Sequence, residues 1–147
     1  MEIVLYQPEI AGNVGAIIRL AANSGISLNL IKPFGFDLQE NKIRRAGLDY
    51  HDLSNTKTYN SWEEFIETNI NKSICCLSSK GTDSYWDTNL NQYDFLLFGP
   101  ESIGLPDEIL SSYKTITIPM KENSRSINLA NSVGIVVFES LRQASVQ

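Results

Sequence analysis

Residues 118–134 read IPMKENSRSINLANSVG. The segment opens as the end of a strand, runs through a mostly polar connection over residues 120–126, and turns into an apolar helix. Such a connection lies directly against two stretches of core character and must still satisfy its backbone N–H and C=O groups, which raises the question of what it holds. Before it, residues 115–118 form a short apolar run; after it, Leu129, Val133, Val136, Val137 and Leu141 recur at helical spacing. Strand, polar loop and helix make one βα unit, and the rest of the chain repeats the theme.

Residues 3–6 are a β-branched and aromatic run stopped by Pro8. Val14, Ile17, Ile18 and Ala21 then follow at helical spacing, with Gly25 placed as a C-terminal stop. Residues 28–31 read as the next strand and residues 42–48 as a short helix. Ser-Trp-Glu-Glu from Ser61 sets a capping serine three residues before Glu64, the opening of a further helix. The runs 74–77, 95–98 and 115–118 are nearly continuous and apolar, as strands covered on both faces are. This alternation predicts an α/β fold, a mainly parallel sheet with helices on both faces, in a single domain over residues 1–147. A chain of this length buries roughly two thirds of its unfolded surface.

Composition removes several classes of function. With 42% hydrophobic and 20% charged residues the chain is neither disordered nor of low complexity. Its apolar runs fall far short of the ~20 residues of a bilayer span. The start, MEIVLYQPEI, lacks the basic region and long apolar stretch of a signal peptide, so a cytoplasmic location without membrane attachment is expected. Cys75 and Cys76 are adjacent in a strand, where neighbours point to opposite faces and do not bridge. His51 stands alone, so no metal site and no Ser-His-Asp triad is expected. The net charge of −5 argues against broad adhesion to nucleic acid. A small basic patch remains: Lys42, Arg44 and Arg45 in NKIRRAG, extended by Lys121 and Arg125, a group suited to phosphates.

Three strands end in loops rich in glycine or proline: LSSKGT (77–82), FGPESIGLP (98–106) and IPMKENSRS (118–126). Open α/β sheets bind ligands at the carboxyl ends of their strands, which locates a candidate pocket. There is no G-x-G-x-x-G, and Gly99 and Gly104 have P-loop spacing but precede Leu105 and Pro106 in place of Lys and Ser/Thr. A kinase or ATPase is thereby disfavoured. Gly81, Gly99 and Gly104 permit close backbone approach beside apolar Leu77, Ile118 and Leu129, an environment that suits a flat heterocycle such as adenine. In NVGAIIRLAANSG, the spacing of Gly15, Arg19, Ala22 and Asn23 sets Arg19 on a face of small residues, away from the apolar set.

Taken together and in order, NVGAIIR (13–19), FGPESIGLP (98–106) and IPMKENSRSINLANSVG (118–134) resemble the three motifs of the SPOUT superfamily of RNA methyltransferases. With IVLYQPEI and RRAGLDYHD the likeness extends over essentially the whole chain and is similar to the minimal TrmL/YibK family, the tRNA (cytidine/uridine) 2′-O-methyltransferases of the anticodon wobble position. The sequence departs from the commoner family pattern in having Ala11-Gly12 before Asn13, where prolines are frequent.

The resemblance implies an α/β fold with a C-terminal trefoil knot, residues 120–126 being the crossing whose backbone holds S-adenosyl-L-methionine. It implies cofactor contacts at Leu77, Gly99, Gly104, Ile118, Met120, Ser126 and Leu129, with no metal. It implies a homodimer in which the first and last helices meet, so that Arg19 of one subunit faces the methyl donor of the other as the catalytic residue. The anticodon stem-loop of tRNA, most plausibly a leucine tRNA, would be bound by Arg19, Lys42, Arg44, Arg45, Lys121 and Arg125. Two alternatives stay open at the level of sequence: 2′-O-methylation at another tRNA or rRNA site, and a non-catalytic knotted RNA-binding or assembly factor.

Overall fold

The chain starts with β1 (Glu2–Tyr6), whose Ile3, Val4 and Leu5 are fully buried. The computed structural model describes residues 1–37 and 53–145. After β1 come α1 (Ala11–Ser24), β2 (Leu28–Ile31), β3 (Thr56–Tyr59), α2 (Trp62–Thr68), β4 (Ile74–Leu77), β5 (Asp83–Ser84), β6 (Phe95–Phe98), α3 (Asp107–Ser112), β7 (Lys114–Thr117) and α4 (Leu129–Ser145). Two short 3-10 turns, Tyr85–Asp87 and Leu90–Gln92, join β5 to β6. The predicted helix over 42–48, the basic cluster Lys42, Arg44 and Arg45, and His51 lie outside the described residues.

Among the described residues one sheet runs in the order β3-β2-β1-β6-β4-β7-β5, and all its pairings are parallel. Parallel neighbours cannot be joined by tight hairpins, so their connections cross over the sheet faces and cover them. On one face, α1 and α4 lay Val14, Ile17, Ile18, Val133, Val136 and Val137 against Ile3, Leu5, Leu28, Leu30 and Leu96. On the other, Phe65 of α2 and Ile109 of α3 pack with Val4, Ile31, Cys76 and Leu97. The expected α/β fold with helices on both faces is what the chain adopts. Cys75 and Cys76 are free and divided between the two faces, as their adjacency in a strand dictates.

Local signals explain the helix ends. Gly25 caps α1 in the left-handed region, φ 71°, donating its N–H to Ala21 and Ala22 carbonyls. Ser61 Oγ accepts the Glu64 N–H at 3.2 Å, while the Glu64 carboxylate reaches back to the N–H of Asn60. The reciprocal cap is therefore shifted one residue outward from its usual partner.

Several expectations need correction. The strand expected over 115–118 is β7 at Lys114–Thr117, and only Ile116 in it is buried, because β7 lies next to the short edge strand β5. The edge strand β3 was not anticipated: its Thr-Lys-Thr-Tyr is half exposed and lacks an apolar run, as sheet edges often do. Nor was α3, a six-residue helix whose Asp107 and Glu108 sit at its positive end. Gly15, grouped with Arg19 by spacing, is buried with the core face of α1, while Arg19 itself is exposed.

Candidate active site

The carboxyl ends of β4, β6 and β7 open into a cavity of about 380 Å³. All seven positions expected to hold the donor, Leu77, Gly99, Gly104, Ile118, Met120, Ser126 and Leu129, line it. They arrive on the three predicted loops, since each strand delivers its loop to the same end of the sheet. Leu77 and Leu129 are buried and Ile118 half-buried, whereas Met120 and Ser126 stand at the open side.

Gly99 and Gly81 sit where the chain meets itself. A Cβ on Gly99 would lie 2.5 Å from the Leu105 nitrogen and 2.6 Å from the Gly104 carbonyl carbon. Gly104 adopts φ 71°, which turns the loop back on itself so that this contact exists. Gly81 likewise abuts the backbone of Ile116. The close approach is chain against chain, and it sets the shape of the cavity wall.

One wall is a hydrogen-bonded chain joining three loops. The Asn128 Oδ1 accepts the N–H groups of Ala130 (2.9 Å) and Asn131 (3.3 Å), capping α4. Its Nδ2 donates to Asn13 Oδ1 at 2.9 Å, and Asn13 Nδ2 donates to Glu101 Oε1 at 3.0 Å. The direction is consistent throughout: an amide that donates to a carboxylate must present its oxygen to the next donor. Helix α1 has no side-chain cap of its own, Ile10 standing at the capping position. Glu101 reaches the entrance of α1 from another loop, accepting the N–H of Glu9 (2.8 Å) and of Ile10 (3.1 Å). A carboxylate at the positive end of α1 is favourably placed.

Sequence reasoning passed over Glu9, Glu101 and Asn128. Asparagine directly before the apolar run of α4 is a readable cap signal. The partners of Glu101 lie 88 to 92 positions away in the chain, beyond any local pattern.

Arg19 does not line the cavity of its own chain; it lies on the exposed side of α1. Lys121 and Arg125 are exposed on the loop that follows β7. Lys80 joins the cavity wall and pairs with Asp107 at 2.7 Å. The Cys75 and Cys76 thiols are pushed up to about 12 by burial and offer no nucleophile. Among the described residues no group of His, Cys, Asp and Glu is arranged to hold a metal ion, and no helix is long and apolar enough to cross a membrane.

Comparison with known proteins gives this geometry a context. A tRNA (cytidine(34)-2′-O)-methyltransferase of Saccharophagus degradans is 44% identical over 144 residues, 96% of this chain and 94% of that protein. A solved structure described as "Structural insights into the 2-OH methylation of C/U34 on tRNA" superposes with a TM-score of 0.91 at 41% identity, covering 99% of this chain and 97% of that one. An AdoMet-bound rRNA methyltransferase of Sinorhizobium meliloti, 25% identical, superposes with a TM-score of 0.83 over 96% of this chain and 55% of its own. The SpoU rRNA Methylase family matches residues 1–138. This match, with relatives of such identity and coverage, shows that the chain belongs to the SpoU rRNA Methylase family.

Proposed function

We propose that this chain is a cytoplasmic, homodimeric enzyme that moves the methyl group of S-adenosyl-L-methionine to the ribose 2′-hydroxyl of the wobble nucleotide, cytidine 34 or uridine 34, of tRNA, leucine tRNAs above all. The observation that carries the reading is the convergence of three loops from distant parts of the chain on one cavity, in a protein 44% identical to a tRNA (cytidine(34)-2′-O)-methyltransferase. A single domain over 1–147 and a trefoil knot belong to the same reading. The knot is supported by the return of the chain from β7 through the polar connection to α4, whose capping Asn128 bonds Asn13 of α1.

The residues present fit the donor. Leu77, Ile118 and Leu129 offer apolar surface to an adenine ring, and the backbone of the loops at 98–106 and 118–128 offers donors and acceptors along its edges. A cavity of about 380 Å³ with a polar open side suits a nucleoside carrying a charged tail. When bound, the group supplies a methyl carbon activated by a positively charged sulfur.

What the chain itself contributes is placement. The 2′-oxygen must approach the methyl carbon in line with the bond that breaks, and holding reactants so is a large part of catalysis. The Arg19 guanidinium, a planar fork of N–H donors, orients an RNA phosphate and the ribose and stabilises negative charge developing on the oxygen. Because Arg19 lies outside its own cavity, Arg19 of the partner subunit completes the site. The exposed Ile135, Phe138 and Leu141 on one side of α4, next to α1, are suited to cover each other in that dimer. RNA phosphates would meet Arg19, Lys121 and Arg125, with Lys42, Arg44 and Arg45 beyond the described residues.

The test is methyl transfer from labelled S-adenosyl-L-methionine to tRNA taken from cells lacking the gene, followed by nuclease digestion and mass mapping. A 2′-O-methyl group at nucleotide 34 is the expected product. Label at another tRNA or rRNA nucleotide would discard the substrate and keep the chemistry. No transfer by a folded, donor-binding dimer would favour an RNA-binding or assembly role.

A further inference from the structure

Besides the cavity itself, the densest long-range polar contact among the described residues joins two glutamates that exchange loops. Glu101 holds the β1-to-α1 connection through the N–H groups of Glu9 and Ile10. Glu9, in return, holds the β6-to-α3 loop: its Oε2 accepts the Ser102 N–H at 2.7 Å and its Oε1 accepts the Ser102 hydroxyl at 2.7 Å. Each carboxylate therefore fixes the main chain that carries the other. Bonds to an ionised acceptor at this length are among the stronger ones a protein makes.

The two sides of this clasp differ in their surroundings. The segment before α1 is pinned from behind, where Gly35 donates its N–H to the Pro8 carbonyl at 3.0 Å. Gly35 is also seated so closely that a Cβ there would fall 2.7 Å from the Glu9 carbonyl oxygen. The loop at 98–106, by contrast, is a cavity wall, with Ser102 among the residues that line it. Glu9 does not line the cavity. It reaches across from the anchored segment and sets the position of the wall.

We propose that Glu9 is a positioning residue for methyl transfer: by clamping both donors of Ser102 it holds the donor-binding loop in place and ties that loop to the first turn of the helix bearing Arg19. The inference rests on the functional reading above. It makes donor affinity and the placement of Arg19 depend on a side chain that touches neither the donor nor the RNA. Glutamine at position 9 can keep both contacts, its carbonyl accepting from the Ser102 N–H and its amide donating to the hydroxyl, which is acceptor as well as donor. Alanine keeps neither.

The experiment compares wild type, Glu9→Ala, Glu9→Gln and Ser102→Ala as full-length protein. Donor dissociation constants come from calorimetry with S-adenosyl-L-methionine, KM and kcat from tRNA methylation, and melting temperatures from calorimetric scans. Glu9→Ala should raise the donor dissociation constant and KM about tenfold, the scale of one charged hydrogen bond lost, and lower kcat as well. Glu9→Gln should stay within about threefold of wild type, since it preserves the bonding pattern. Ser102→Ala should fall between, and adding it to Glu9→Ala should cost little more because the two share one interaction. Ser102→Ala also serves if Glu9→Ala does not fold. Donor affinity and kcat unchanged in Glu9→Ala, or changed equally in Glu9→Gln, would overturn the clasp while leaving the enzyme reading intact. A wild-type protein that neither binds the donor nor methylates tRNA would overturn the functional reading and the clasp with it.

Discussion

Gly99 illustrates how little latitude the cavity wall has. Its missing side chain is the space through which the chain returns at Gly104 and Leu105. Gly99→Ala should cost about 1–3 kcal/mol of stability, the usual scale of overpacking, and weaken donor binding together with it. A variant with wild-type melting temperature and donor affinity would show that the loop yields freely. Asn128 works at the other end of the wall. Replacing it by alanine removes the α4 cap, about 1 kcal/mol, and leaves the nearly buried Asn13 oxygen without its donor. Urea unfolding measures the sum, and a loss below ~0.5 kcal/mol would mean that water replaces both contacts. Arg19→Ala makes the opposite separation: turnover should fall by a hundredfold or more, the scale of a lost transition-state contact, with donor affinity unchanged. Activity near wild type in that variant would remove Arg19 from the chemistry.

At the scale of elements, the starts of β4 and β6 are tied together by a side chain that answers to acid. Asp94, just before β6, accepts the Ser73 N–H at 2.8 Å and the Ser73 hydroxyl at 2.9 Å, and pairs with Lys72 at 3.1 Å. These contacts, the Ser73 backbone N–H foremost, hold its carboxyl down to about 2 from an ordinary 3.8. A depressed folded value means the contribution is complete above 3.8 and lost as pH falls toward about 2. Glu139, held by Arg142 and Gln143, is likewise down at about 2 from an ordinary 4.5, so its contribution is complete above 4.5 and lost as pH falls toward about 2. The melting temperature should therefore fall on acidification through that range, and Asp94→Asn should be less stable near neutrality with a shallower acid limb. Parallel acid limbs for the two proteins would place the sensitivity elsewhere. The cap of α2 can be read separately, Ser61→Ala costing about 1 kcal/mol.

For the whole molecule, the decisive question is whether two copies make one site. Ile135, Phe138 and Leu141 recur every three residues along α4, and Phe138 keeps 60% of its surface exposed. A charge there would be buried on dimer formation. Phe138→Glu should yield a monomer by light scattering, with the chain folded and methyl transfer lost. A Phe138→Glu protein that stays dimeric would move the interface to another face.

Much of this architecture was legible without coordinates. The apolar runs at 28–31, 74–77 and 95–98 became fully buried strands, and Gly25 and Ser61 ended and started helices where expected, because burial on both faces and helix termini leave local marks in composition. The three loops were legible as well, since parallel strands deliver their following loops to one end of a sheet, while the seven cavity positions came from the resemblance of the motifs. The sequence by itself thus determined the class of fold, the end of the sheet that carries the cavity and the residues around it. Tertiary structure alone decided that Gly99 and Gly81 face the chain's own backbone, that Gly15 turns inward, and that Glu101 bonds the chain at the entrance of a helix begun some ninety residues earlier. Those facts depend on which distant segments touch, and hydrophobic periodicity, a property of neighbours in the chain, does not record them.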